Sequence, residues 1–253
     1  MKNHWHFYRL IFVSVIAIMI LATSACGKTS SDLVDEIPDR ILFIGNSLTF
    51  YNGGLEYHIM KLANSADPPL VIQADSFTKS GAWLKILWQN SEAPELISAG
   101  NYDVVVLQDY MSPLTDVESF HKYTRLFVEE IKSAGAEPLL FMTWARELLT
   151  TEDIAKAHKD IAKELDVNVA PVGLAWERAM EERPDLDMYD TDKLHPSIHG
   201  SYLAVNVFYA TIFGKSPLGL SYLPSEEGGV TEDEAKFLQH IAWETVQAYQ
   251  AQE

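Results

Sequence analysis

Residues 40–49 read RILFIGNSLT. Ile41 to Ile44 form a short apolar run without polar alternation, the pattern of a strand buried on both faces in a parallel sheet. Directly behind it the chain turns polar through Gly45, Asn46 and Ser47 before returning to Leu48. A turn of this kind at the carboxyl end of a buried strand lies where α/β folds place their ligands.

Outward from this stretch, short apolar runs alternate with longer amphipathic ones. The strand candidates are Ile41 to Ile44, Leu70 to Gln73, Val104 to Leu107, Pro138 to Met142 and Asn168 to Val172. Between them, residues 54–65, 82–90, 117–133 and 152–165 repeat apolar positions at three and four, the helical spacing, and Gly135 is a stop for the third. Two more helices are expected near 197–213 and 231–250, the second opened by Thr231-Glu232-Asp233-Glu234, a capping-box pattern. Strand and helix in alternation predict a three-layer α/β/α sandwich around a mostly parallel five-stranded sheet. Ser and Asn also favour turns and helix caps for local reasons, so the Gly45-Asn46-Ser47 corner carries two readings by itself.

A second stretch, residues 190–200, DTDKLHPSIHG, bears on the choice. A serine nucleophile needs a base, and an imidazole base needs a carboxylate to hold its tautomer and its charge. Asp192 and His195 supply such a pair, with Asp190 as a second carboxylate nearby. Pro196 suits the first turn of a helix, which puts His195 just before the helix start and His199 one turn inside. His195 and His199 are four apart, as in helical zinc pairs, but with Pro196 between them they need not share a face. No metal and no other cofactor is expected. The bland alternative is a capping histidine beside a solvated aspartate.

Together the two stretches resemble the SGNH (GDSL-like) hydrolases, named for Ser, Gly, Asn and His in four separated blocks. Ile44-Gly45-Asn46-Ser47-Leu48-Thr49 is similar to the first block, and Asp192-Lys193-Leu194-His195-Pro196 to the last. The resemblance covers about residues 40–213 and implies a flavodoxin-like α/β/α sandwich with Ser47 as nucleophile, His195 as base and Asp192 as its partner. It also implies an oxyanion hole made by the amide of Ser47, a glycine amide and an asparagine side chain. Gly81 is the candidate glycine. Where the family has Gly-x-Asn-Asp, this chain reads Val106-Leu107-Gln108-Asp109, so Gln108 stands in for the asparagine, as in a divergent branch of the superfamily. Asn46, Tyr110, Trp144 and Arg146 are placed at the substrate, because Tyr110 follows the third strand and Trp144, Arg146 and Glu147 follow the fourth; plain packing beneath the loops is the alternative for Tyr110 and Trp144.

The amino-terminal segment gives a setting. Lys2 and Arg9 precede an uncharged apolar run from Leu10 to Ala22, then Ala22-Thr23-Ser24-Ala25 leads to Cys26, the only cysteine. Such a run is short for a bilayer span and reads as a signal peptide over residues 1–25. Small residues before a lone cysteine resemble a bacterial lipobox, with Cys26 the lipid attachment site, residues 26–39 a polar tether, and 40–253 the folded domain. The alternatives are ordinary signal-peptidase cleavage, giving a secreted soluble product, and an uncleaved anchor helix. With one cysteine there is no internal disulfide. The formal charge of −17 becomes −19 on loss of residues 1–25, which carry two basic residues and no acidic one. That charge repels phosphate backbones, so no nucleic-acid partner is expected, and the membrane is met only through the lipid.

The resemblance and the expected export point to a serine esterase that removes short acyl groups, acetyl foremost, from an extracytoplasmic carbohydrate. A thioesterase or lysophospholipase on the same triad, and a carbohydrate-binding protein on the same fold without turnover, remain open.

Overall fold

In the computed structural model the described residues are 37–146, 150–225 and 229–252. The expected signal segment, Cys26, the tether up to residue 36, and Glu147 lie outside them. From the amino end the elements are β1 (Arg40–Gly45), α1 (Ser47–Phe50) with a 3-10 turn (Tyr51–Gly53), α2 (Leu55–Asn64), β2 (Gln73–Thr78), α3 (Leu84–Gln89) and α4 (Ala93–Gly100). Then come β3 (Val104–Leu107), α5 (Ser112–Thr115), α6 (Val117–Ser133), β4 (Glu137–Phe141) and α7 (Thr151–Leu165). The last part is β5 (Asn168–Ala170), α8 (Val172–Glu182), α9 (Ile198–Phe213) and α10 (Glu232–Gln250).

The five strands form one parallel sheet in the order β2-β1-β3-β4-β5. Strand order therefore reverses between β1 and β3, and the crevice beyond their carboxyl ends is the topological switch point where such sheets bind ligands. Register puts Ile41 beside Val104 and Ile44 beside Leu107, so Gly45 ends β1 at the level where β3 gives way to Gln108.

The pleat divides each central strand between two cores. Ile41, Phe43, Val104, Val106, Leu139 and Phe141 face one layer, which packs with α2, α8, α9 and α10. Leu42, Ile44, Val105, Leu107 and Leu140 face the other, with α3, α4, α6 and α7. Each such side chain, fully removed from water, stabilises the fold by about 1.5–3 kcal/mol before entropy is counted. Helix α9 is buried almost all round, because it sits between α2 and α10 as well as on the sheet. Among the described residues no helix is long and apolar enough to cross a membrane.

Three sequence expectations need correction. The second strand is Gln73–Thr78, not Leu70 to Gln73. Leu70 and Ile72 do pack inward, but Val71 between them is 81% exposed, and the pairing begins only at Gln73. As an edge strand β2 needs no continuous apolar run. The fifth strand stops at Ala170: Pro171 cannot donate to the ladder, and Val172 opens a helix that was not foreseen. Pro196 is not the first helical residue either. It pairs across an antiparallel bridge with Tyr189, and Ser197 caps α9 by accepting from the Gly200 amide. The Thr231 capping box is present as read.

Candidate active site

The turn after β1 is held from three sides. Asn46 caps α1, its Oδ1 accepting from the Leu48 amide at 3.0 Å, while its Nδ2 donates to the Ala82 carbonyl at 2.9 Å. Its backbone N–H donates to Gln108 Oε1 at 2.8 Å, and the Thr49 hydroxyl donates to the same oxygen at 3.0 Å. The other end of the Gln108 amide donates to the Asp109 carbonyl. Gly45 is dictated by this corner: a Cβ there would lie 2.5 Å from Gln108 Oε1 and 2.6 Å from Thr49 Oγ1. Ser47 thus becomes the first residue of a short helix, where a backbone N–H has no acceptor inside the helix.

Two sequence assignments change here. Asn46 and Gln108 are both without exposed surface and spend their amides on the protein itself. Asn46 is a brace for the turn, not a substrate contact. Gln108 is a brace too: its oxygen, not its NH2, faces the Asn46–Thr49 segment, so it does not offer the oxyanion donor expected of it. The glutamine stem lets the amide oxygen reach back under the Asn46–Thr49 turn.

The loop between α8 and α9 brings an imidazole to Ser47. His195 Nε2 lies 2.8 Å from Ser47 Oγ, and His195 Nδ1 lies 2.5 Å from Asp192 Oδ2. A carboxylate only accepts, so Nδ1 carries the proton and Nε2 is left to accept from the Ser47 hydroxyl. Asp192 Oδ1 accepts from the amides of Leu194 and His195, both at 2.9 Å, which folds the loop around the carboxylate. These bonds, with the imidazole first, hold the Asp192 carboxyl down at about 2. Lys193 takes a left-handed φ of 57° at the tip, and the Asp190 amide donates to the His195 carbonyl at 2.9 Å to close the loop. His199 is not part of this site; its Nε2 lies 3.3 Å from Glu234 Oε2 on α10.

Asp190, the other carboxylate of the stretch, is engaged elsewhere. Tyr51 donates its hydroxyl to Asp190 Oδ2 at 2.6 Å, which lowers the Asp190 pKa and raises that of Tyr51. The Tyr51 ring lies flat on the His195 imidazole, 4.4 Å between centroids and 10° between planes. Asn52, at a left-handed φ of 54°, donates from Nδ2 to the Pro196 carbonyl and to Ser201 Oγ, both at 2.9 Å. Neither residue was picked out in the sequence. A signal was there: Tyr51 is four residues past Ser47, one helical turn on and on the same side.

Gly81 takes a left-handed φ of 65° in the exposed turn after β2. The bond from Asn46 to the neighbouring Ala82 carbonyl ties this turn to the Ser47 turn. Asp109 is 2% exposed and accepts from the Leu84 amide at 2.8 Å and from the amide and hydroxyl of Ser112. Burial pushes its pKa up while those bonds pull it down.

A narrow pocket opens at Leu48 and Leu194, the chain neighbours of Ser47 and His195, and is lined also by Tyr110, Met111, Thr143, Trp144 and Arg146 among others. Tyr110, Trp144 and Arg146 are brought together there. Arg146 is exposed and its Nη1 lies 3.4 Å from the Tyr110 hydroxyl. Trp144 is buried, stacks on Trp176 at 4.0 Å and donates Nε1 to the Leu194 carbonyl at 3.1 Å. Its indole forms pocket wall and loop support at once. Chemically, the assembly can raise the nucleophilicity of one hydroxyl, and Leu48 and Leu194, the chain neighbours of Ser47 and His195, line a small, mostly apolar pocket.

The sequence matches no family profile, and no curated protein is detectably similar to it. Solved structures are similar in fold. A DUF4886 family protein from Bacteroides uniformis is 17% identical, with a TM-score of 0.68 over 83% of this chain and 95% of that one. A candidate SGNH hydrolase from Slackia heliotrinireducens is 24% identical, with a TM-score of 0.59 over 69% of this chain and 98% of that one. An acetylxylan esterase from Geobacillus stearothermophilus is 18% identical, with a TM-score of 0.58 over 70% and 95% respectively. The three-layer fold is the one shared with SGNH hydrolases.

Proposed function

We propose that this protein is a serine carboxylic ester hydrolase of the SGNH type. The observation that carries the reading is the unbroken chain from Ser47 Oγ through His195 to Asp192, at 2.8 and 2.5 Å. His195 Nε2 takes the Ser47 proton as Oγ attacks the ester carbonyl, the negative charge on the tetrahedral oxygen being met by backbone amides at Ser47 and Gly81. His195 then gives the proton to the departing alcohol. Water, deprotonated by the same nitrogen, cleaves the acyl-enzyme and frees the acid and Ser47.

The acyl group is short, acetyl foremost, and the alcohol is a carbohydrate outside the cytoplasm. The narrowness of the pocket beside Ser47 and its Tyr110–Trp144 wall support this reading, as does the acetylxylan esterase among proteins of the same fold. Export and anchoring through Cys26 are supported by the amino-terminal sequence alone.

The test is hydrolysis of p-nitrophenyl acetate, then of acetylated xylooligosaccharides, by the full chain and by Ser47→Ala, each with and without chelator. Chelator-resistant turnover that vanishes in the variant is expected. Turnover retained by folded Ser47→Ala sinks the mechanism, and faster turnover of long-chain than of acetyl esters sinks the acyl assignment in favour of a lysophospholipase or thioesterase.

A further inference from the structure

We infer that Tyr51 is a positioning residue for the base: its ring sets the plane of the His195 imidazole so that Nε2 meets Ser47 and Nδ1 meets Asp192 together. The inference rests on the hydrolase reading above. An imidazole on a surface loop keeps two torsions, and its hydrogen bonds to Asp192 and Ser47 constrain direction within the ring plane better than the tilt of that plane. A second flat ring at 4.4 Å and 10° supplies the missing constraint.

The stack is anchored at both ends. Tyr51 follows the nucleophile's own helix, so its backbone is fixed relative to Ser47, and its hydroxyl is fastened to Asp190 on the base's loop at 2.6 Å. A carboxylate only accepts, so the Tyr51 hydroxyl is the donor. Asn52 repeats the connection one residue later, on the far side of His195, through the Pro196 carbonyl. Its left-handed backbone lets consecutive side chains both reach that loop. The Asn52 carbonyl is itself held by Nε2 of fully buried His58 at 2.7 Å, whose Nδ1 accepts from the Tyr222 hydroxyl at 2.7 Å. Nucleophile and base are therefore joined by a clasp of their own besides the sheet.

The ring and the hydroxyl make separable predictions. Tyr51→Phe keeps the ring and loses the Asp190 bond; Tyr51→Leu loses both. With p-nitrophenyl acetate, Tyr51→Phe is expected to keep kcat within about fivefold of wild type, and Tyr51→Leu to lose roughly 30-fold or more, each with KM within about twofold. In parallel, the downfield proton signal of His195 Nδ1–H, which needs no turnover, is expected in wild type and Tyr51→Phe and broadened away in Tyr51→Leu. If Tyr51→Leu does not fold, Tyr51→Met, flexible and of similar bulk, replaces it. A Leu or Met variant with wild-type kcat and a sharp Nδ1 proton overturns the inference, as does an equal loss in Tyr51→Phe. A wild type without turnover overturns the hydrolase reading instead, and the proton signal then decides the positioning role alone.

Discussion

Trp144 donates its indole N–H to the carbonyl of Leu194 at 3.1 Å while its ring lies on Trp176, 4.0 Å between centroids. The loop after β4 thereby holds the residue next to the base. Trp144→Phe should keep most of the stacking and lose the bond. It should destabilise the fold by about 1 kcal/mol. By loosening the His195 loop it should lower kcat/KM by roughly three- to tenfold. Thermal unfolding and steady-state kinetics on the same preparation separate the two effects, and unchanged kinetics would show that the loop needs no help from the indole.

Asp192→Asn tests the electrostatic half of the triad. The variant keeps an Oδ1 to accept from the Leu194 and His195 amides, so the loop should persist. The other end becomes an NH2 that donates to Nδ1, which drives the imidazole proton to Nε2, facing Ser47. The expected result is a loss in kcat on the order of ten-thousandfold with an unaltered far-ultraviolet spectrum. Activity near that of wild type would point to Asp190 as an adequate substitute.

The corner beneath Ser47 leaves no room. Gly45→Ala places a methyl 2.5 Å from Gln108 Oε1, and the amide cannot swing away without abandoning Asn46 and Thr49. A destabilisation of about 1–3 kcal/mol, with loss of turnover, is expected. Gln108→Leu should cost a similar amount, about 1–3 kcal/mol, by leaving a buried N–H and a buried hydroxyl unpaired. Denaturant unfolding checks both, and a Gln108→Leu variant as stable as wild type would show that the amide is no brace for the corner.

Two groups titrate in successive windows as the pH falls. His158 is wholly buried, and desolvation lowers its pKa from 6.5 to about 4. Between those values the unfolded chain takes up a proton that the folded chain refuses, so stability falls by up to about 3 kcal/mol. Asp192 acts next: its pKa, lowered from 3.8 to about 2, makes the folded state hold the ionised form, and that stabilisation is lost as pH drops from about 4 to 2. Asp192 is 44% exposed on its side chain, so solvent reduces its share. His158→Asn, whose amide can still donate to the Ile154 carbonyl, should flatten the unfolding free energy between pH 6.5 and 4. An unchanged slope in that variant would assign the loss to other groups.

How much of this is legible in the sequence follows from what writes each feature. Interior strands such as Ile41 to Ile44 and Val104 to Leu107 are covered on both faces, so apolarity marks them plainly. The edge strand at Gln73–Thr78 is paired on one side and part exposed, and its QADSFT composition carries no such mark. The helix at Val172–Glu182 was lost because strand, Pro171 and buried helix run together as one apolar stretch. At the site, the meeting of Ser47, His195 and Asp192 could be anticipated because a hydroxyl, an imidazole and a carboxylate are the residue types that such a hydrogen-bonded chain needs. The role of Gln108 could not, since an amide presents a donor and an acceptor and only the fold decides which faces the cleft. Tyr51 escaped because stacking on a histidine is a relation between two chain segments, and neither segment alone records it.

Ser47 and His195 stand 148 residues apart in the chain. A polypeptide emerging from its amino end carries Ser47 as an unremarkable alcohol through most of its synthesis. It acquires a base only when the α8–α9 loop has arrived and α9 has settled between α2 and α10. No fragment ending before residue 195 holds the triad, so reaction with an active-site phosphonate would date the moment at which the two ends of the fold meet.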